Sequence, residues 1–367
     1  MRKNRVYVNA YESLSCAGDT FDLMGAVYSK RSGIMIDTSY MPETPVGLGS
    51  FAPYEFFASL RDVTQKVLNQ SNLDNFHNTL LIVGSSVGGI AQSEKIFFQE
   101  SSYANIDPAK HAISVISDTM NDTFGFKDSR SISTACTSSA NAMMIGQRLL
   151  ELGAYENVLV VGADALCYTT VCGFHALGVL SSKPCTPFQQ DRLGMNVAEG
   201  IAALLLQIKP EGESIELCGS GGSSDAFHIT NPDPAAGGAI ACMQNALDDA
   251  GIQAVDIGYV NAHGTGTQAN DAVESLAVQT LLKHHPFMSS TKAITGHTLG
   301  AAGALEAVIS CEVLKRQKIP PQSTLEVAEN TEVNLPREAV DTTLDYVISN
   351  SFAFGGNNTA LVFGVVK

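Results

Sequence analysis

The chain has 367 residues, 45% of them hydrophobic and only 16% charged, with 22 basic side chains against 37 acidic ones for a formal charge of −15. This composition excludes disorder, and the acidic balance excludes a broad nucleic-acid-binding face, which needs basic side chains to neutralise phosphates. The length exceeds the ~250–300 residues at which a single core stops growing, so two domains or two fused halves are expected.

The opening residues, MRKNRVYVNAYESLSCAG, start basic but hold no apolar run long enough for a signal peptide, and no stretch reaches the ~18 apolar residues of a membrane span. A cytoplasmic protein without membrane insertion is expected. Eight cysteines, at 16, 136, 167, 172, 185, 218, 242 and 311, lie scattered without the paired spacing of a zinc site. Most of them fit small buried thiols in a reducing compartment.

In chain order, periodicity predicts a strand over 5–9 and a helix over 54–69, where Phe56, Leu60, Val63 and Val67 make one apolar stripe. A strand over 79–84 follows. A helix over 138–153 closes on Gly153 and leads to strands over 157–163 and 202–208. The pattern then repeats, with a helix over 234–250 closing on Gly251, a strand over 256–262, helices over 269–283 and 299–316, and strands over 346–350 and 359–366. This alternation predicts an α/β fold with helices on both faces of parallel or mixed sheets. It also suggests a duplication, with residues 1–215 as the N-terminal half and 216–367 as the C-terminal half.

Three segments place a reactive group among glycines and alanines, where backbone can approach a ligand closely. In SISTACTSSANAMM (131–144), Cys136 lies just before a helix whose positive end favours thiolate, the nucleophilic form. The alternative is a buried structural cysteine. In YVNAHGTGTQANDAVE (259–274), His263 follows a strand directly, and Thr265 and Thr267 offer two hydroxyls to an amide-bearing ligand. An interior histidine bonded to backbone is the other reading. In SSTKAITGHTLGAAGALEA (289–307), His297 sits at a helix start, where its imidazole is kept neutral. The run of Gly and Ala after it calls for tight helix packing. Lys292 and Glu306 flank this histidine, either as an internal ion pair or as ordinary exposed charges.

One cysteine nucleophile with two distant histidines fits covalent acyl chemistry. At this point the sequence resembles a known family. TACTSSA around Cys136, NAHGTGT at His263, KAITGHTLGAAGALE from Lys292 to Glu306, and NSFAFGGNNTALVF at 350–363 resemble the four blocks of the elongating β-ketoacyl-acyl-carrier-protein synthases. The similarity runs from about residue 4 to the C-terminus and includes CTPFQQDRLGMNVAEGIAALLL at 185–206. Two histidines, rather than a second cysteine or a His–Asn pair, separate it from the thiolases and from the initiating and chalcone-synthase branch.

The resemblance implies the thiolase-like fold, two βαβαβαββ halves in a five-layered α/β/α/β/α body. It implies decarboxylative condensation of an acyl group on Cys136 with malonyl-acyl-carrier protein, giving a 3-oxoacyl thioester. His263 and His297 then hold the malonyl carbonyl, and the backbone N–H groups of Cys136 and Phe354 form the oxyanion hole. Phe354 is also the gate, Thr265 and Thr267 bind the phosphopantetheine arm, and Lys292, Glu306 and Asp271 are supporting positions. No metal or redox cofactor is implied, since substrates ride on the phosphopantetheine of the acyl carrier protein. The implied partners are that carrier and a second subunit, in a homodimer or in a heterodimer with another ketosynthase-like chain.

Departures from the family pattern point toward secondary pathways such as aryl polyene or type II polyketide synthesis. Gln189, Leu193 and Met195 stand in a PFDxxRDGF-type block, and Ala353 replaces the first glycine of the gate loop. The stretches 33–80 and 89–131 are shorter than usual. An alternative under the same resemblance is a chain-length-factor-like structural subunit with little activity of its own. An acidic chain meeting an acidic carrier also needs a local basic cluster, for which Arg61, Lys66, Lys127 and Arg130 are candidates.

Overall fold

A computed structural model describes residues 4–40, 46–50, 55–323 and 326–366. Ten strands carry the architecture. In the first half they are β1 (Tyr7–Ser15), β2 (Thr79–Gly84), β3 (Asp128–Ile132), β4 (Asn157–Asp164) and β5 (Gly200–Gln207). In the second half they are β6 (Ile215–Ser224), β7 (Ile257–Asn261), β8 (Phe287–Ser289), β9 (Tyr346–Phe352) and β10 (Asn357–Val365). Their spatial order is β8-β7-β9-β10-β6-β1-β5-β4-β2-β3.

The two halves have the same topology. In the first, β3, β2 and β4 are parallel, and β5 and then β1 add antiparallel. In the second, β8, β7 and β9 are parallel, and β10 and then β6 add antiparallel. The halves meet edge to edge through Tyr7 with Glu216 and Val8 with Ile215, between β1 and β6. β5, with the sequence GIAALLLQ, is buried along its whole length, as a strand covered on both faces must be.

Helices complete five layers. α1 (Phe56–Gln70) covers β1 and β5 on one outer face, and α3 (Gly237–Ala250) covers β6 and β10 on the other, beside α4 (Gln268–Leu281). Between the sheets lie α2 (Ser138–Glu151) and α5 (Ala302–Arg316), each touching strands of both halves. The largest apolar cluster is this middle layer, in which Met143, Leu305, Val308 and Ile309 meet Val160, Leu204, Val347 and Phe363.

The expected elements are found with shifted ends, and position 54 of the first expected helix lies outside the described residues. The strand expected over 5–9 runs on to Ser15, and the helix expected from 299 begins as a short 3-10 turn, Leu299–Ala301. β6 has no counterpart among the sequence expectations because IELCGSGGSS looks like a loop. Its glycines answer a spatial demand: a Cβ at Gly219 would lie 2.4 Å from the backbone N of Ala250, and one at Gly221 would lie 2.2 Å from the carbonyl oxygen of Cys242. α3 therefore rests on the strand backbone itself. Helices Thr20–Ser29, Ile90–Glu100, Val115–Phe124 and Tyr168–Ala176 are likewise additional.

This contact predicts an asymmetry between glycines. Gly221→Ala overpacks backbone against backbone and should lower stability by about 1–3 kcal/mol. Gly173→Ala, in a helix with nothing within 4 Å of the added carbon, should instead raise stability by ~0.4–1 kcal/mol. Urea midpoints of the two variants test the pair.

Candidate active site

The carboxyl ends of parallel strands deliver the reactive groups to one place, as open α/β sheets do. β3 leads through Thr134 and Ala135 to Cys136, immediately before α2. Ala135 has φ +53°, a strained value for a non-glycine residue, and this turn aims the Cys136 side chain. β7 ends at Asn261 and leads to His263. His297 lies between the short helix Lys292–Thr295 and the turn Leu299–Ala301.

Cys136, His263, His297, Thr265, Thr267 and Phe354 all line one cavity of about 420 Å³. The two imidazole rings stand edge to face, with centroids 5.2 Å apart. Glu306, Lys292 and Asp271 lie outside the cavity lining and act from behind it. Lys292 and Glu306, left open by the sequence, form a buried ion pair. The Lys292 ammonium also donates to the carbonyl of His263 at 2.5 Å and to its Nδ1 at 3.3 Å.

Those contacts fix both imidazole tautomers. An ammonium can only donate, so His263 Nδ1 is an acceptor and its proton is on Nε2. His297 Nδ1 accepts the backbone N–H of Leu299 at 3.2 Å, which again leaves the proton on Nε2. Burial first, and then the Lys292 charge, hold both histidines well below the usual imidazole range, with His297 adding to the effect on His263. Two neutral rings therefore each present one N–H donor.

Cys136 carries a correction to the sequence expectation. The start of α2 is in place, yet burial outweighs it and pushes the thiol up to about 11. Lys292 and the backbone N–H groups of Phe354 and Cys136 act in the opposite direction. Both backbone donors are directed toward the sulfur.

The threonine turn and the gate loop are tied to their surroundings. Thr265 and Thr267 hydroxyls bond each other at 2.9 Å, and Thr267 caps α4 by accepting from the backbone N–H of Asn270. Gly264 and Gly266 have φ +38° and +83°, and a Cβ on either would strike Ser290 or the carbonyl of Gly194. Asp271 accepts from the backbone N–H groups of Phe188 and Gly266 and lies 3.3 Å from Arg192. The ring of Phe354 stands 6.0 Å from that of Phe174, and Gly355 donates its N–H to the carbonyl of Ile229. Leu193 is 60% exposed at the mouth of the cavity, while Met195 is buried. The Gln189 side chain spans Asp191 and the backbone N–H of Glu326.

Two acids at this site were not singled out from the sequence. Glu274 accepts the backbone N–H groups of His263 and Gly264 at 2.8 and 2.7 Å, and burial pushes its carboxyl up to about 7. Its spacing of three from Asp271 places both acids on one face of α4, which is the signal that marks it. Asp164 ends β4 beneath Cys136, and an acid closing the apolar run NVLVVGAD is the corresponding sign.

Residues 58–211 match the family described as Beta-ketoacyl synthase, N-terminal domain, and residues 215–326 match its C-terminal domain. The 3-oxoacyl-[acyl-carrier-protein] synthase 2 of Staphylococcus aureus is 36% identical over 248 residues, which are 63% of this chain and 61% of that protein. Its namesake from Coxiella burnetii is 37% identical over 254 residues, 64% of this chain and 61% of that protein. The aligned stretch thus spans about three fifths of the curated relatives. A chain from the structure of a ketosynthase in complex with its chain length factor, from Xenorhabdus doucetiae, is 31% identical, covers 99% of this chain and 98% of its own length, and superposes with a TM-score of 0.89. A β-ketoacyl synthase from Burkholderia phymatum shares the fold at the same TM-score with 24% identity, covering 100% of both chains. The chain belongs to the β-ketoacyl synthase family.

Proposed function

We propose that the protein is a β-ketoacyl-acyl-carrier-protein synthase that condenses an acyl thioester with malonyl-acyl-carrier protein. The observation that carries this reading is the pair of neutral imidazoles, each with its proton on Nε2, facing one cavity with Cys136. Acyl transfer alone needs only the thiol and the oxyanion hole; two further N–H donors are what decarboxylation to an enolate requires.

In the first step the Cys136 sulfur attacks the carrier thioester carbonyl, and the oxygen that becomes negative is held by the N–H groups of Cys136 and Phe354. The C–S bond to pantetheine breaks, and the departing thiolate takes up the proton that Cys136 gives away. In the second step the malonyl thioester oxygen accepts Nε2–H of His263 and His297 while the bond to the carboxylate breaks. Carbon dioxide leaves, and the electron pair is held as an enolate between the two imidazoles. In the third step the enolate carbon attacks acyl-Cys136, the C–S bond breaks, and the 3-oxoacyl thioester is two carbons longer. Cys136 leaves as thiolate and takes up a proton from water, which restores the thiol. Every step uses a group of this chain or of its substrates, with no metal or redox cofactor in the scheme.

Thr265 and Thr267 are placed in this reading as the pantetheine contacts, and Phe354 as the gate. The carrier protein docks on a local basic cluster. Of the candidates for it, Arg61 is exposed, Lys66 already pairs with Asp62 at 3.4 Å and lies 4.0 Å from Asp19, and Lys127 lies over the Tyr155 ring. The protein acts in the cytoplasm as a dimer. The 31% identical chain comes from a ketosynthase in complex with its chain length factor, which supports a second ketosynthase-like subunit here. The departures at Gln189, Leu193, Met195 and Ala353 place the reaction in this reading in aryl polyene or type II polyketide synthesis. Retention of Cys136, His263 and His297 favours the catalytic subunit over the structural one.

Intact-mass analysis with acyl- and malonyl-carrier substrates should reveal an acyl adduct on Cys136 and a product longer by two carbons. Elongation that appears only with a second synthase present, and persists with Cys136→Ala, would assign the structural role instead. In a Cys136→Gln background the protein should decarboxylate malonyl thioester without elongation, and adding His263→Ala should slow that step by about 10²–10³-fold, as loss of one oxyanion donor does. Alkylation of Cys136 by iodoacetamide should climb about tenfold per pH unit and level off near pH 11. Lys292→Met should move that plateau to higher pH, because it removes the charge that opposes burial. An unchanged profile would contradict the assigned electrostatics.

A further inference from the structure

Asp164 is fully buried at the end of β4, and no step of the proposed reaction uses it. Its carboxylate is nonetheless among the most heavily bonded groups near the cavity. Oδ1 accepts the Ser85 hydroxyl at 2.5 Å and the backbone N–H groups of Ser86 and Val87 at 3.0 and 2.8 Å. Oδ2 accepts the N–H of Ser86 at 3.0 Å and that of Gly300 at 2.6 Å.

These bonds join two turns that come from opposite halves of the chain. From the first half, Ser86 passes the connection on, because its hydroxyl donates to the carbonyl of Ala135 at 2.9 Å. Ala135 is the strained residue that aims Cys136. From the second half, Gly300 follows Leu299, itself at φ +54°, whose N–H fixes the tautomer of His297. The space is closed as well, since a Cβ on Gly300 would sit 2.8 Å from both Asp164 Oδ2 and the Ser86 hydroxyl. An acid in place of an apolar side chain costs desolvation, and here four donors, that of Ser86 shared between both oxygens, offset it.

We propose that Asp164 is a positioning residue, a latch that holds the Ala135–Cys136 turn and the His297–Leu299 turn in register across the two halves. Resting on the condensing function proposed above, this assigns the acid a role in aligning the acyl-Cys136 carbonyl with the enolate held at His297. Misplacement of reacting atoms by about 1 Å costs on the order of 10²-fold in rate.

The test compares the wild-type protein with Asp164→Asn and Ser86→Ala. One carboxylate oxygen of Asp164 becomes an NH₂ in Asp164→Asn and turns donor against donor. Condensation kcat should therefore fall by about 10²-fold with KM within about threefold, because substrate contacts are untouched. Hydrogen exchange should speed up together at residues 86–87 and at residue 300, a change that loss at one turn alone would not give. Ser86→Ala keeps the amide contacts and cuts only the link to Ala135, so acyl transfer to Cys136 should slow by about tenfold and decarboxylation far less. Wild-type kcat in Asp164→Asn, exchange that changes at one turn only, or a loss carried by KM would overturn the latch. Should Asp164→Asn not fold, normal acyl transfer in Ser86→Ala overturns it. A wild-type protein that condenses nothing, with or without a partner subunit, sinks the functional reading instead, and hydrogen exchange still decides the latch.

Discussion

The ammonium of Lys292 is the charge on which the site's other properties depend. It is buried, matched by Glu306, and bonded to both the carbonyl and Nδ1 of His263. From that position it sets the tautomer of one histidine, lowers the proton affinity of both, and draws the Cys136 thiol down against burial. Buried ion pairs are poor sources of stability, since well-packed apolar groups often do as well, whereas stripping one partner costs about 3–5 kcal/mol. A pair placed against the reactive groups is better understood as an electrostatic setting for them than as a fold stabiliser.

A consequence concerns where protons go. Both Nδ1 atoms are occupied as acceptors and both Nε2 atoms carry protons, so neither imidazole has a lone pair to offer Cys136. The cysteine thus has no general base in the manner of a Cys–His dyad. Thioester exchange does not require one, because the thiol proton is balanced by the thiolate that leaves. In the proposed reaction the imidazoles are then reserved for the oxygen of the malonyl group, where neutral donors suit a developing enolate. Burial of the thiol is compatible with this division. It keeps the sulfur protonated at rest and leaves the dipole of α2, the two backbone donors and Lys292 to act as the transition state acquires charge.

Much of this was legible in the sequence. The strands TLLIVG, NVLVVGA and AALLLQI are continuous apolar runs because both faces of each are covered, and that pattern survives any tertiary context. Cys136 and His263 each left a structural reading open, and with His297 they stood out through their combination and the four blocks of the resemblance. What was hidden had a physical reason in each case. β6 was masked by its own glycines, which exist to admit α3. The state of the Cys136 thiol was misread because a helix terminus is visible in sequence and depth of burial is not. Lys292 and Glu306 lie fourteen positions apart across a turn and a helix start, and no local rule says whether they meet. Glu274 and Asp164 bond to backbone N–H groups, which leave no mark on the sequence of their partners.

The remaining link is between the glycine–alanine run and the precision of the site. Cys136 comes from the first half and both histidines from the second, so their alignment depends on how α2 and α5 meet. At that contact a Cβ on Gly303 would lie 2.7 Å from that of Ala140, and one on Gly162 would lie 2.8 Å from those of Ala304 and Ser139. The Ser139 hydroxyl also accepts the N–H of Ala304 at 2.8 Å. Nothing longer than a methyl or hydroxyl separates the two helices there. Long side chains could repack and let one half slide over the other, but a backbone-to-backbone contact has no such freedom. In the proposed reaction the GAAGA segment thus serves catalysis without touching substrate, because it converts the duplication of the fold into a fixed relation between Cys136 and the histidines.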